Sequence, residues 1–134
     1  MKKCILFLCI IMFVACSNSE EKQKAKDSLK YEVELVNKLT PSSVDFMTTL
    51  TSCELDGSNL IYNYEIDEDY STIDEMKEKQ MATLKKTLEA SWKNNPQLEG
   101  TKANLKTIGG KVIYNYVGNT SKKIMSITIE LDNL

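Results

Sequence analysis

The chain has 134 residues, 42% of them hydrophobic, and its 17 basic residues stand against 19 acidic ones for a net charge of −2. Every basic residue is a lysine and histidine is absent, which excludes Ser-His-Asp and Cys-His catalysis, imidazole metal sites and the bidentate anion recognition that arginine provides. The weakly acidic balance also argues against nucleic acid, whose phosphates require a basic stripe.

In chain order, Lys2 and Lys3 precede an apolar run, Ile5 to Val14, which leads into Ala15-Cys16. That run is too short to span a bilayer, which takes roughly 20 apolar residues. The pattern predicts a lipoprotein signal peptide over residues 1–15, cleaved before a lipidated Cys16, with Phe13 where such boxes usually carry leucine. Each buried methylene of an acyl chain adds about 0.8 kcal/mol, so two or three chains hold a protein to a membrane almost irreversibly. Cleavage would remove two of the 17 lysines and leave 15 against 19 acidic residues, a net charge of −4. Cys4 and Cys9 would leave with the signal. Cys53 would then be the sole thiol, unable to form an internal disulfide and best read as a small buried apolar residue.

Residues 17–30 hold one leucine and no aromatic side chain, a composition that suits a flexible tether over residues 16–30. A single domain is expected over residues 31–134. Residues 29–39 fit both periodicities: Tyr31, Val33 and Leu35 alternate as in a strand, while Leu29, Val33 and Val36 form a helical stripe ended by Pro41. Helix is the preferred reading. Thr48–Leu55 and Leu60–Ile66 flank Asp56-Gly57-Ser58-Asn59 and predict a β-hairpin. Residues 71–94 read as one long helix, opened by a Thr72/Glu75 capping box and carrying Ile73, Met76, Leu84, Leu88 and Trp92 on its apolar face. Glu75 with Lys79 and Glu89 with Lys93 lie four apart on the wet side. A shorter helix from Pro96 to Thr107 is expected to end at Gly109-Gly110. A second hairpin follows, with strands Lys111–Val117 and Ile124–Leu131 joined by Gly118–Ser121.

The expected architecture is α+β in two layers: two β-hairpins form a mainly antiparallel four-stranded sheet covered by one long helix. Trp92 and Leu88 should be buried against that sheet. The string Ile-Tyr-Asn-Tyr occurs at Ile61–Tyr64 and again at Ile113–Tyr116. Either an old duplication or two strands meeting one packing problem can account for it.

Two constellations can carry chemistry. Asp67, Asp69 and Ser71, with Glu78 eleven residues after Asp67, imitate a calcium loop. However, position 6 needs glycine and is Thr72, so the run reads instead as acidic residues favoured by a helix N-terminus. Tyr62, Tyr64, Tyr114 and Tyr116 can form an aromatic plate for sugars or a protein partner, or else pack as core beneath the long helix; core is the preferred reading. If they are core, the opposite sheet face carries Ile61, Asn63, Glu65, Ile113, Asn115 and Val117. That face is a candidate binding patch unless residues Tyr31 to Leu39 fold back over it.

Cys16-Ser-Asn-Ser-Glu-Glu resembles the start of surface-exported lipoproteins of the Bacteroides type, and Asp27-Ser28-Leu29 is similar to their O-glycosylation acceptor, which would place a glycan on Ser28. Glu34–Pro41, Leu50–Gly57, Ile61–Tyr64 and Ile113–Gly118 are similar to a small family of such envelope lipoproteins. That resemblance implies an architecture and an outer-membrane address reaching to the cell surface; it implies no catalytic residue.

The expectation is therefore a non-enzymatic, lipid-anchored binding or assembly module for a protein or glycan partner. No cofactor, no metal site and at most weak self-association are expected. The alternative is an enzyme or enzyme inhibitor using the carboxylates of Asp67, Asp69 and Asp74.

Overall fold

The computed structural model describes residues 2–134, with side chains from residue 18 onward. Cys16 and the expected cleavage site fall outside those described side chains. Among the described residues no helix is long and apolar enough to cross a membrane.

Helix α1 runs Lys2–Lys38. It includes residues 18–30, so the expected tether is helical. Lysine, glutamate, glutamine and alanine are strong helix formers, and Ala25 with Leu29, four apart, gives them a face to bury; the two are 4% and 0% exposed. Val33 and Val36 continue that face onto the core, while Tyr31, Leu35 and Leu39 stay exposed on the other side. The helical reading of residues 29–39 therefore holds. Packing against α4 and β2 keeps α1 on the helical side of the molecule, and the Thr101 hydroxyl donates to the Glu32 carboxylate at 2.7 Å.

The remaining elements are β1 (Ser42–Ser43), β2 (Thr48–Asp56), β3 (Asn59–Ile66), α2 (Ile73–Lys79), α3 (Met81–Asn94), a 3-10 turn (Pro96–Leu98), α4 (Glu99–Ile108), β4 (Val112–Gly118) and β5 (Ile124–Ile129). The sheet has five strands in the order β1-β2-β3-β4-β5 rather than four, because Ser42 and Ser43 pair with Leu50 and Thr49. Both hairpins form as expected. Gly57 takes φ +59 in the two-residue turn of the first, the left-handed value that a type II′ loop requires at its first position.

The two hairpins meet in parallel: β3 runs alongside β4, and residues 67–111 with their helices form the crossover that parallel neighbours need. The sheet is thus mixed at its centre and antiparallel on both sides.

The expected long helix breaks at Gln80, whose φ of −120° interrupts it. The cause is geometric. On a straight helix of 3.6 residues per turn, Met76 and Trp92 point about 160° apart and cannot share one core. The break resets the phase, so Ile73 and Met76 are buried from α2 and Trp92 from α3, with Leu84 and Leu88 packed partly against the core. The Thr72 capping box forms in both directions, at 3.2 and 3.1 Å. Neither Glu75–Lys79 nor Glu89–Lys93 is an ion pair; among the described residues those are Lys102–Glu99, Lys111–Glu130 and Lys123–Asp74. Helix α4 ends at Gly109, which takes φ +70. A Cβ on the next residue, Gly110, would collide with the Ser58 carbonyl oxygen, so the crossover closes against the first hairpin only with glycine there.

Candidate binding surface

The parallel register brings the two Ile-Tyr-Asn-Tyr strings side by side: Ile61 opposes Ile113, Tyr62 opposes Tyr114, Asn63 opposes Asn115 and Tyr64 opposes Tyr116. One copy lies in the second strand of its hairpin and the other in the first strand of its own. Duplication of a whole hairpin would not put the copies in those places. Strand alternation then sends the tyrosines inward and the isoleucines and asparagines outward.

The tyrosines form a continuous stack, with ring centroids 5.4 Å apart from Tyr62 to Tyr114, 6.1 Å from Tyr114 to Tyr64 and 5.1 Å from Tyr64 to Tyr116. The plate exists, but it lies under the helices. Tyr114 and Tyr116 are buried, Tyr62 and Tyr64 pack partly against the same core, and Trp92 Nε1 donates to the Tyr114 hydroxyl at 2.8 Å. Desolvation raises the Tyr114 phenol to about 12 and pushes the phenols of Tyr62, Tyr64 and Tyr116 higher still. These four therefore stay neutral and serve as core rather than as an exposed platform. At the Tyr64–Tyr116 end a cavity of about 240 Å³ remains, walled by Met47, Met76, Leu84 and Leu88.

Among the described residues no helix covers the opposite face. The segment Tyr31 to Leu39 does not fold back over it, because α1 packs on the tyrosine side with Leu29, Val33 and Val36. Across this open face runs a four-residue chain of side-chain hydrogen bonds, one residue from each of four strands. Asn63 Nδ2 donates to Ser52 Oγ at 3.0 Å, Asn115 Nδ2 to Asn63 Oδ1 at 3.1 Å, and Ser126 Oγ to Asn115 Oδ1 at 2.6 Å. On one side of that polar row sit Ile61, 9% exposed, and half-buried Ile113; on the other sit half-buried Val117 and exposed Ile124. Glu54 and Glu65 are exposed on the same face. The expected outer patch is thus open, but its apolar part is divided by polar residues.

The acidic run proves to be structural. Glu68, unremarked in the sequence, is its centre: its carboxylate accepts from the Ser121 amide at 2.6 Å, the Ser121 hydroxyl at 2.7 Å, the Thr120 amide at 3.1 Å and the Ile73 amide at 3.4 Å. The Ser121 amide, then its hydroxyl, do most to hold the carboxyl below its ordinary range. A Cβ on Gly118 would overlap that carboxylate, so a larger residue there would displace Glu68 from its partners. Asn119 completes the latch, accepting from the Glu68 amide at 3.1 Å and donating to Asp67 at 3.4 Å. Asp67 also accepts from the Asp69 amide, and Asp74 pairs with Lys123. Of the carboxylates considered for an enzyme, Asp67 and Asp74 are therefore engaged while that of Asp69 is not, and among the described residues no group of three acidic or thiol side chains is placed to hold a metal.

Cys53 is buried, with its thiol raised to about 12, first by desolvation and then by Glu54 and Glu32, so it is inert. Its backbone is held by Asn37 at the end of α1, whose side-chain amide accepts from Cys53 N and donates to Cys53 O, both at 2.8 Å. Sequence reasoning missed Asn37, Glu68 and Asn119 because their partners lie 16 to 53 residues away. Ser28 is exposed on α1.

No family model matches the sequence, and no curated relative does. Solved structures nevertheless share the fold. A Pseudomonas aeruginosa protein described as secreted superposes with a TM-score of 0.66 at 12% identity, over 82% of this chain and 92% of its own. The pilotin EpsS of the Vibrio vulnificus type 2 secretion system gives 0.63 at 8% identity, over 84% and 94%. The type II secretion system pilotin AspS of Vibrio cholerae gives 0.59 at 10% identity, over 87% and 97%. The likeness is one of fold.

Proposed function

We propose that this chain is a non-enzymatic envelope protein, anchored by lipid on Cys16 at the outer membrane, that presents the helix-free face of its sheet to a protein partner in an assembly. The observation that carries the reading is that open face: the helices of the described residues pack on the other side, and the Ser52–Asn63–Asn115–Ser126 hydrogen bonds cross the exposed one. The shared fold with two secretion-system pilotins supports an assembly role. Asp67 accepts from a turn amide and Asp74, in the first turn of α2, pairs with Lys123, which favours a structural over a catalytic use of these two carboxylates. A protein is a better fit than a glycan, because the asparagine amides that would bind sugar hydroxyls are engaged with one another. Glu54 and Glu65, exposed and without an ion pair among the described residues, suit a partner segment of basic character.

The test is Ile113→Lys with Val117→Lys in the full chain, leaving the more buried Ile61 in place. Cross-linking in intact cells should recover a partner with the wild-type chain and lose it with the double variant, whose circular dichroism should be unchanged. Recovery of the same partner by the folded double variant would remove the open face as the docking surface.

A further inference from the structure

The two edges of the sheet are treated differently. On the β2 side, β1 pairs with Thr49 and Leu50, and the Asn37 amide takes both backbone groups of Cys53, standing in for a further strand. The β5 side has neither device. Hydrogen bonds from Leu60 N to Lys111 O and from Asn119 N to Ile66 O show that the odd-numbered residues of β4 face β3, so the even-numbered ones, Val112, Tyr114 and Tyr116, face β5. Their partners Ile129, Ile127 and Met125 use their backbone groups inward. By alternation, the N–H and C=O groups of Ile124, Ser126 and Thr128 point away from the sheet, and among the described residues no hydrogen bond engages them.

The strand itself invites pairing. Ile124-Met-Ser-Ile-Thr-Ile129 carries no charge, proline or bulge, the features that ordinarily protect an edge. Charges appear only at its ends and are of opposite sign, Lys122 before it and Glu130 after it. Ile124 is 54% exposed at this edge.

We infer that the β5 edge pairs with the β5 edge of a second copy of this chain, antiparallel about a two-fold axis through Ser126, making one ten-stranded sheet with a continuous open face. The occupant follows from self-complementarity. In that register Ser126 meets Ser126 and the outward backbone groups of Ile124 meet those of Thr128, which also covers the exposed isoleucine. The same register brings Lys122 of each copy to the Glu130 end of the other. A parallel copy would set like ends together.

The test uses the full chain in its own envelope and an oxidant or short bis-maleimide, with the wild-type chain setting the background from its native cysteines. In the inferred register the two Ser126 Cα atoms lie about 5.5 Å apart, whereas the two Ile124 positions are offset by about 14 Å along the strands. Ser126→Cys should therefore give covalent dimers and Ile124→Cys alone should not; Ile124→Cys and Thr128→Cys chains expressed together should cross-link to each other. Thr128→Pro added to Ser126→Cys should abolish the dimer, because it removes an outward donor without touching the β4 ladder. Equal yields at positions 124 and 126, no dimer above background, or a conjugate to a different protein in place of the dimer would each overturn the pairing. A partner lost on changing Ile113 and Val117, with no dimer at Ser126, would sink this inference and leave the proposed function standing.

Discussion

The same two tetrapeptides build two surfaces that obey different rules. On the inner face Tyr62, Tyr64, Tyr114 and Tyr116 stack beneath helices, and Trp92 donates to the Tyr114 hydroxyl. On the outer face Ile61, Ile113, Asn63 and Asn115 lie under no helix, and order comes from a single chain of polar contacts. In the inner row Tyr114 and Tyr116 are buried and Tyr62 and Tyr64 pack partly against the core, whereas in the outer row Ile61 alone is buried and Ile113, Asn63 and Asn115 are half-buried.

That contrast predicts graded responses. Trp92→Ala removes the largest fully buried side chain and leaves the Tyr114 hydroxyl without its donor. It should cost about 3–5 kcal/mol in urea denaturation, as large-to-small changes of aromatic core residues do. A smaller, pH-dependent effect is expected where the two faces meet, at the Glu68 latch. Its carboxyl titrates below 4.5 in the folded chain, so its contribution is present above that value and is lost as pH falls through the lowered folded value. Glu68→Gln should therefore melt below the wild type at neutral pH, and the difference should shrink on acidification below 4.5. A gap that widened in acid would show that the carboxylate does not hold the turn. The smallest change should come from the outer row. Asn63→Val with Asn115→Val replaces both partners of a hydrogen bond by strand-favouring residues, and stability should move by less than about 1 kcal/mol. A cost comparable with that of Trp92→Ala would mean the outer row is core after all.

What was legible in the sequence follows from how far each signal reaches. The turn at Gly57, the capping box at Thr72 and the helix end at Gly109 are set by residues within a few positions, and all three form. The inward placement of Trp92 with Leu84 and Leu88 follows from the helical spacing within α3. The parallel pairing of β3 with β4 is not written in either hairpin; it depends on a crossover whose helices return the chain along the same direction. The break at Gln80 was readable in principle, since Met76 and Trp92 on one straight helix cannot point the same way. The burial of Ala25 was not, because average composition over residues 17–30 hides its place one helical turn before Leu29.

The continuity of α1 bears on how the open face meets whatever approaches it. A loose leash holds its load at a distance but lets it tumble, so a partner must find the right side by chance. A helix advances about 1.5 Å per residue, so the stretch from Asn18 to Leu29 is a rod of roughly 16 Å, seated in the domain at its far end. Attached at Cys16, such a rod would act as a bracket: it fixes standoff and limits rotation together, and the side of the sheet turned toward the membrane is then set by the helical phase at which Ala25 and Leu29 enter the core. Inserting one residue before Ala25 would swing that side by about 100° without altering a single contact of the sheet.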